Sequence, residues 1–195
     1  PDYESSFIEH LDLSKDHFWF CHRNRVIHRA IKEAFGEKPV RILDMGAGSG
    51  NILAYLVGKG IDADGSDLYD ESLKYIGKYS PNSFRYDINV KPDECEGMGK
   101  FKGKYDAVIL GDVIEHLSDP VQGLKNAKYF CKIGGRIIVT APALSKLWTE
   151  YDALSGHKRR YDINMIREEF DRAGIKCLLA KYFFFTAAVG LFLGR

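Results

Sequence analysis

The residues most able to do chemistry form a few tight patterns. Asp44 closes an apolar run, and Gly46, Gly48 and Gly50 follow it at every second position, with Ala47 between the first two. Glycines there allow a tight turn with positive φ and no side chains in the way, so a flat ligand can lie against the backbone at a helix start. The turn is not a dinucleotide fingerprint, whose third small residue would stand at position 51, where this chain has Asn51. Nor is it a phosphate-binding loop, because G-x-x-x-x-G-K-[ST] is absent. An acid at the strand end repels a pyrophosphate and suits a ligand that carries an ammonium group. Further acids stand at Asp67, 23 residues after Asp44, at Asp87 in "YDI", and at Asp112 in "YDAVILGDVIEHLSDP", with His116 shortly after. The string "GHKRRYD" places His157, Arg159, Arg160 and Tyr161 together, a group suited to a carboxylate or phosphate.

These residues need elements to hold them at fixed places. Apolar positions Val26, Ile27, Ala30, Ile31, Ala34 and Phe35 recur at helical spacing, which predicts a helix over 14–36 capped by Gly36. Strands and helices then alternate. "VRILDM" reads as a buried strand, "NILAYLVGKG" as a helix, "IDADGSDL" as a weak polar strand and "ESLKYIGKY" as a helix. "FRYDI" and "YDAVIL" read as strands, 119–131 as a helix and "GGRIIVTAP" as a strand. A loop is expected over 142–161, then a helix from Asp162 to Ala173 with Gly174 behind it, and "IKCLLAKYFFF" as a last strand. Such alternation predicts an α/β fold, a Rossmann-like doubly wound, mainly parallel sheet with helices on both faces. Ligands bind beyond the carboxyl ends of such strands, which is where the acids and glycines fall.

Composition narrows the classes. The chain has 195 residues, 45% hydrophobic and 28% charged, with a formal net charge of +1, so a broad nucleic-acid surface is not expected. Cys21, Cys95, Cys131 and Cys177 are far apart and form no C-x-x-C pair, which fits reduced thiols in a cytoplasmic protein. No signal peptide opens the chain, and no apolar run is long enough to span a membrane. The apolar C-terminus "YFFFTAAVGLFLGR" stops abruptly, as expected of a chain truncated there. It reads as a core strand with a helix start, or else as a peripheral membrane contact. The oligomeric state is not legible.

Taken together, "LDMGAGSG", Asp67, "YDI" and the string from Tyr105 to Pro120 resemble the class I S-adenosylmethionine-dependent methyltransferases, in the small-molecule and lipid-type branch (type 11/12-like). S-adenosylmethionine carries an ammonium group and no phosphate. The resemblance implies that Asp44 and the glycine turn hold the methionine part, with Asp67 and Leu68 at the ribose. Asp64 and Asp62 are rivals of Asp67 for that role. Asp87 and Ile88 would meet the adenine, and Gly111 and Asp112 the methyl-group floor. S-adenosylhomocysteine would be the product.

"DHFWFCHRNRVI" and "LWTEYDALSGHKRRYD" resemble the leading segment and acceptor loop of a bacterial and archaeal branch of these enzymes. By that resemblance residues 1–36 form a helical lid over a core of 37–195, bringing Trp19, Phe20 and Arg23 to the cofactor. Trp148, Arg159, Arg160 and Tyr161 would then bind a small-molecule acceptor, one linked to a lipid or sugar among the options. His116, His157 and Asp112 are the candidate bases. No N/D-P-P-Y/F tetrad follows the fourth strand and no Pro-Cys pair follows any strand, which argues against methylation of nucleic-acid bases. Asp112, Glu115, His116 and Asp119 are not a standard ligand set, so no metal is expected. Two other readings are a non-catalytic binder of S-adenosylmethionine or S-adenosylhomocysteine, acting as sensor or accessory, and a nicotinamide oxidoreductase, which Asn51 disfavours.

Overall fold

The computed structural model describes residues 17–184. In chain order its elements are α1 (Phe18–Phe35), β1 (Arg41–Met45), α2 (Asn51–Gly58), β2 (Asp62–Asp67), α3 (Asp70–Ile76), β3 (Phe84–Arg85), β4 (Tyr105–Gly111), α4 (Pro120–Phe130), β5 (Cys131–Thr140), α5 (Glu150–Leu154) and α6 (Ile163–Arg172). The five strands make one sheet in the order β3-β2-β1-β4-β5, and every pair is parallel. The chain winds outward from β1 through β2 to β3, then returns to β4 on the other side of β1. This is the doubly wound, Rossmann-like arrangement, with its switch point between β1 and β4.

The chain divides into two compact units, the first running to Gly111 and adding Asn126–Thr140, the second made of Asp112–Lys125 and Ala141 onward. The first unit holds the whole sheet. Its core joins Ile27 and Ile31 of α1 to Ile42, Ile52, Leu53, Leu56, Ala63, Ile76, Ala107 and Ile109. The helix expected as a lid therefore also packs into the sheet unit through one apolar stripe.

β2 is the least strand-like sequence, DADGSD, yet all but its first residue is buried. Its polarity is neutralised by partners. The Asp64 carboxylate accepts from Arg41 Nη2 at 2.9 Å, Tyr105 Oη at 2.8 Å and Ser80 Oγ at 2.8 Å. Gly65 is needed by packing, since a Cβ there would stand 3.1 Å from both Ile76 Cδ1 and Leu53 Cδ2. A buried acid so fully bonded does not carry the usual desolvation cost.

Four expectations change. β3 stops at Arg85 instead of running through Tyr86-Asp87-Ile88. Asp87 Oδ1 accepts from the Asn89 backbone N–H at 2.9 Å and its side-chain amide at 3.0 Å, and this local turn replaces the ladder. The region 142–161 is not all loop, for it contains a 3₁₀ turn (Ser145–Leu147) and α5, which opens on a Thr149–Asp152 capping box. Residues 175–184 form no strand; Leu178, Leu179 and Tyr182 there are exposed. The expected helix start beyond them lies outside the described residues, as do 14–16 of the first helix. Asp162 stands at the N-cap of α6 as expected, but its side chain takes a hydrogen bond from Ser145 Oγ at 2.9 Å rather than capping the helix.

Candidate functional site

In the sheet unit the glycine turn folds over the end of β2. The Gly46 and Ala47 amides both donate to the Ser66 carbonyl, at 2.9 and 3.0 Å. The Gly48 amide donates to Asp67 Oδ2 at 2.8 Å, and the Tyr69 amide to Asp67 Oδ1 at 3.1 Å. Asp67 is thus held by one backbone donor on each oxygen, and each oxygen keeps a lone pair for a further donor. Gly48 has φ +52 and nothing within 4 Å of where a Cβ would stand, so the turn presents open backbone at that point. Gly50 takes a left-handed φ of 75 as the cap of α2. Leu68 is half-buried beside Asp67.

Asp44, at the end of β1, is 1% exposed. Neither of its carboxylate oxygens closes a hydrogen bond among the described residues. Burial pushes its pKa up to about 7; the Arg23 charge pulls it back, the Asp67 charge adds to the rise, and the nearby Leu53 backbone N–H lowers it a little. Such a group is poised to be charged by a cation placed against it.

Arg23 lies one turn after the half-buried Trp19 on α1 and is itself buried. Its guanidinium stands 5.0 Å from the Phe20 ring centroid and donates to Asn51 Oδ1 at 3.4 Å. The Asn24 side chain donates to the same Asn51 oxygen at 2.7 Å. Asn51, the residue that breaks the dinucleotide fingerprint, is therefore the point where α1 is tied to the first turn of α2. The structure brings together Asp44, Gly48, Asp67 and Arg23. It does not bring Asp87 in as a strand-end residue. Its neighbour Ile88 gives its carbonyl to the Asn126 side chain at 2.8 Å. Gly111 ends β4, where a Cβ would stand 2.2 Å from Ile52 Cδ1, so packing alone accounts for that glycine.

The second unit opens with Asp112, a non-glycine residue at φ 57. Conformations of this kind cost energy and persist where the surroundings impose them. The rings of His116 and His157 meet edge to face with centroids 4.9 Å apart. His157 Nδ1 stands 2.9 Å from Asp152 Oδ1, which also accepts from Arg160 Nε at 2.8 Å. Asp152 Oδ2 accepts from the Thr149 amide and hydroxyl at 2.8 and 3.0 Å. Burial would raise the pKa of Asp152, but Arg160, His157 and Thr149 overcome it and hold the carboxyl well below the usual range. His116 is lowered from the usual imidazole value, first by partial burial of the ring and then by His157.

Arg160 and Tyr161 have structural partners. Arg160 Nη1 donates to the Ala143 carbonyl at 3.3 Å, in addition to its bond with Asp152. Tyr161 is buried, with its hydroxyl 3.4 Å from the Ile114 carbonyl. Burial pushes the Tyr161 phenol up to about 12, against the pull of Arg159. Trp148 is 40% exposed and is no core residue. Sequence reasoning gave no role to Asp152 or Glu115. The signal for Asp152 was present in the W-x-x-x-D spacing, but its ties to positions 157 and 160 needed the fold.

Residues 19–180 match the family described as a methyltransferase domain. The chain is 27% identical over 114 residues to a ubiquinone biosynthesis O-methyltransferase of Coxiella burnetii, covering 58% of this chain and 48% of that protein. It is 28% identical over 147 residues to a demethylmenaquinone methyltransferase of Beutenbergia cavernae, covering 75% of this chain and 55% of that one. The chain thus spans about half the length of the curated relatives it matches. In three dimensions it resembles a SAM dependent methyltransferase from Archaeoglobus fulgidus, with TM-score 0.65 and 20% identity over 89% of this chain and 74% of that one.

Proposed function

Because the chain belongs to the methyltransferase-domain family, we propose that it moves a methyl group from S-adenosylmethionine to a small-molecule acceptor. The observation that carries this reading is Asp44, a buried carboxylate at the switch-point strand end whose oxygens close no hydrogen bond. A buried acid that closes no hydrogen bond is costly unless a closer partner than the Arg23 charge arrives, and an ammonium group is the partner its charge calls for. A pyrophosphate is not. Asp67 fits the other end of such a ligand, because its two oxygens can each accept one ribose hydroxyl beside their backbone donors. When bound, the cofactor supplies a methyl group already activated on a sulfonium, and this chain's residues are left with orientation and proton handling.

On this reading Gly46, Ala47, Gly48 and Gly50 admit the ligand to the backbone, and Arg23 sets the charge balance at Asp44. Asp87 and Ile88 remain assigned to the adenine, Gly111 and Asp112 to the methyl end. His116 and His157 are the groups to take a proton from a hydroxyl or amine acceptor. Asp152 holds the His157 tautomer, so Nε2 is the basic nitrogen. Arg159 and Trp148 are the groups left to meet the acceptor, since Arg160 and Tyr161 brace the loop. The names of the curated relatives support a small-molecule acceptor.

Calorimetric titration with S-adenosylmethionine, S-adenosylhomocysteine and NAD tests the reading. Micromolar binding of both adenosyl compounds is expected, none of NAD, and at least a tenfold loss in Asp67→Ala, about 1.4 kcal/mol. Binding of NAD alone overturns it. Transfer of a labelled methyl group to a panel of hydroxyl- and amine-bearing small molecules separates the enzyme from a non-catalytic binder, which would bind and never turn over.

A further inference from the structure

The fold brings Glu115, His116 and His157 to one place in the second unit, with a ligand-type atom of each within 4.8 Å of the others. We propose that these three side chains bind a divalent cation of the zinc class, with Asp152 as the support that aims His157. The sequence offers Glu115 and His116 side by side, which alone is no standard ligand set. The missing imidazole comes from a loop 41 residues further on.

The donor set is two imidazole nitrogens and one carboxylate. This combination suits zinc and its neighbours in the first transition row, whereas calcium and magnesium select oxygen ligands. Two ligands of one zinc ion stand at most about 4 Å apart, so the widest separation must close by only about 1 Å. His116 is the exposed member of the three and Glu115 the buried one, so the imidazole is the group with room to make that movement.

A second observation points the same way. A metal-bound histidine commonly gives its other ring N–H to a carboxylate, which sets its tautomer and orientation. His157 Nδ1 is 2.9 Å from Asp152 Oδ1, so Nε2 is the atom left to bind. Asp152 is itself fixed by Arg160 and Thr149. One backbone and one side-chain hydrogen bond hold the two segments together: the Lys158 amide donates to the Glu115 carbonyl at 2.8 Å, and the Tyr161 hydroxyl donates to the Ile114 carbonyl at 3.4 Å. The hydrogen bonds that aim His157 are in place before any ion arrives. Three protein ligands leave coordination positions open, the pattern of sites that bind a further small ligand rather than of closed structural ones. The metal site shares His116 and His157 with the proton-taking role proposed above, and an ion on their free nitrogens would displace that role; the residues proposed for the ammonium and ribose ends of the cofactor lie in the sheet unit and are not part of it.

The test is titration of the full chain with Co²⁺, read by its visible ligand-field bands, and competition for Zn²⁺ against a chromophoric chelator. One equivalent per chain is expected, with affinity reduced at least tenfold in His157→Ala and in Glu115→Gln. Circular dichroism of each variant separates loss of metal from loss of fold, and the near-isosteric Glu115→Gln carries the test if His157→Ala does not fold. No uptake overturns the proposal. So does uptake that shows thiolate charge-transfer bands, or that survives both substitutions. S-adenosylhomocysteine binding on the same samples reports separately on the proposed cofactor site.

Discussion

Asp44 and Asp152 are both buried acids with opposite surroundings. Asp152 has four hydrogen bonds and stays charged; Asp44 closes none among the described residues and holds its proton up to about pH 7. Between the unfolded value of about 3.9 and the folded value, the native state keeps a proton that the unfolded chain has released. The contribution of Asp44 to stability therefore falls as pH rises through that window, with its folded value near 7 at the upper end. A ligand ammonium reverses the balance, because it requires the charged form. S-adenosylhomocysteine should then bind about tenfold more tightly at pH 8 than at pH 6, with release of one proton at the lower pH. Asp44→Asn should bind weakly and without this slope. A wild-type affinity that is flat from pH 6 to 8 would remove Asp44 from the ammonium role.

At the scale of elements, the turn from β1 to α2 is the part whose shape and chemistry coincide. Gly48 has a left-handed φ, and its amide holds Asp67. An alanine there pays about 1–2 kcal/mol of backbone strain without meeting any neighbour. The added methyl group also enters the open space expected to take the ligand. Gly48→Ala should lower the melting temperature by only a few degrees, about 2–4 °C per kcal/mol in a chain of this size. Its cofactor affinity should fall by more than tenfold. Equal and small losses in both measurements would mean that Gly48 serves the turn alone. Elements with strong apolar runs, such as β1, β4 and β5, were legible from pattern. β3 was overestimated, since the Asp87–Asn89 turn competes locally with the ladder. The strand expected from "IKCLLAKYFFF" does not form over its described residues, 175–184, because apolar content alone cannot supply a partner edge.

For the whole molecule, a ligand that binds only the native state adds stability by mass action. At one hundred times its dissociation constant, S-adenosylhomocysteine should add about 2.7 kcal/mol, a rise of roughly 5–10 °C in melting temperature. NAD should give none. His157→Ala should keep that shift while turnover is lost, because Asp44, Gly48 and Asp67, proposed for the ammonium and ribose ends of the cofactor, lie in the sheet unit and His157 does not. Loss of the shift in His157→Ala would show that the two roles cannot be divided this way. Among the described residues no helix is long and apolar enough to cross a membrane, and the four cysteines are free thiols.

By itself the sequence determined the alternation of β1 to β5 with the helices between them, the glycine turn after Asp44 and the family. These depend on local patterns: alternation, turn chemistry and an acid placed at a strand end. What only the tertiary structure decided was which polar side chains meet. Asp64 is a buried partner of Arg41, Tyr105 and Ser80 rather than a rival for the ribose. Asn51 is a tie to α1, and Asp152 aims His157. Each of these links joins residues that no local period connects, because hydrogen bonds between distant positions exist only once packing has brought their donors and acceptors within reach.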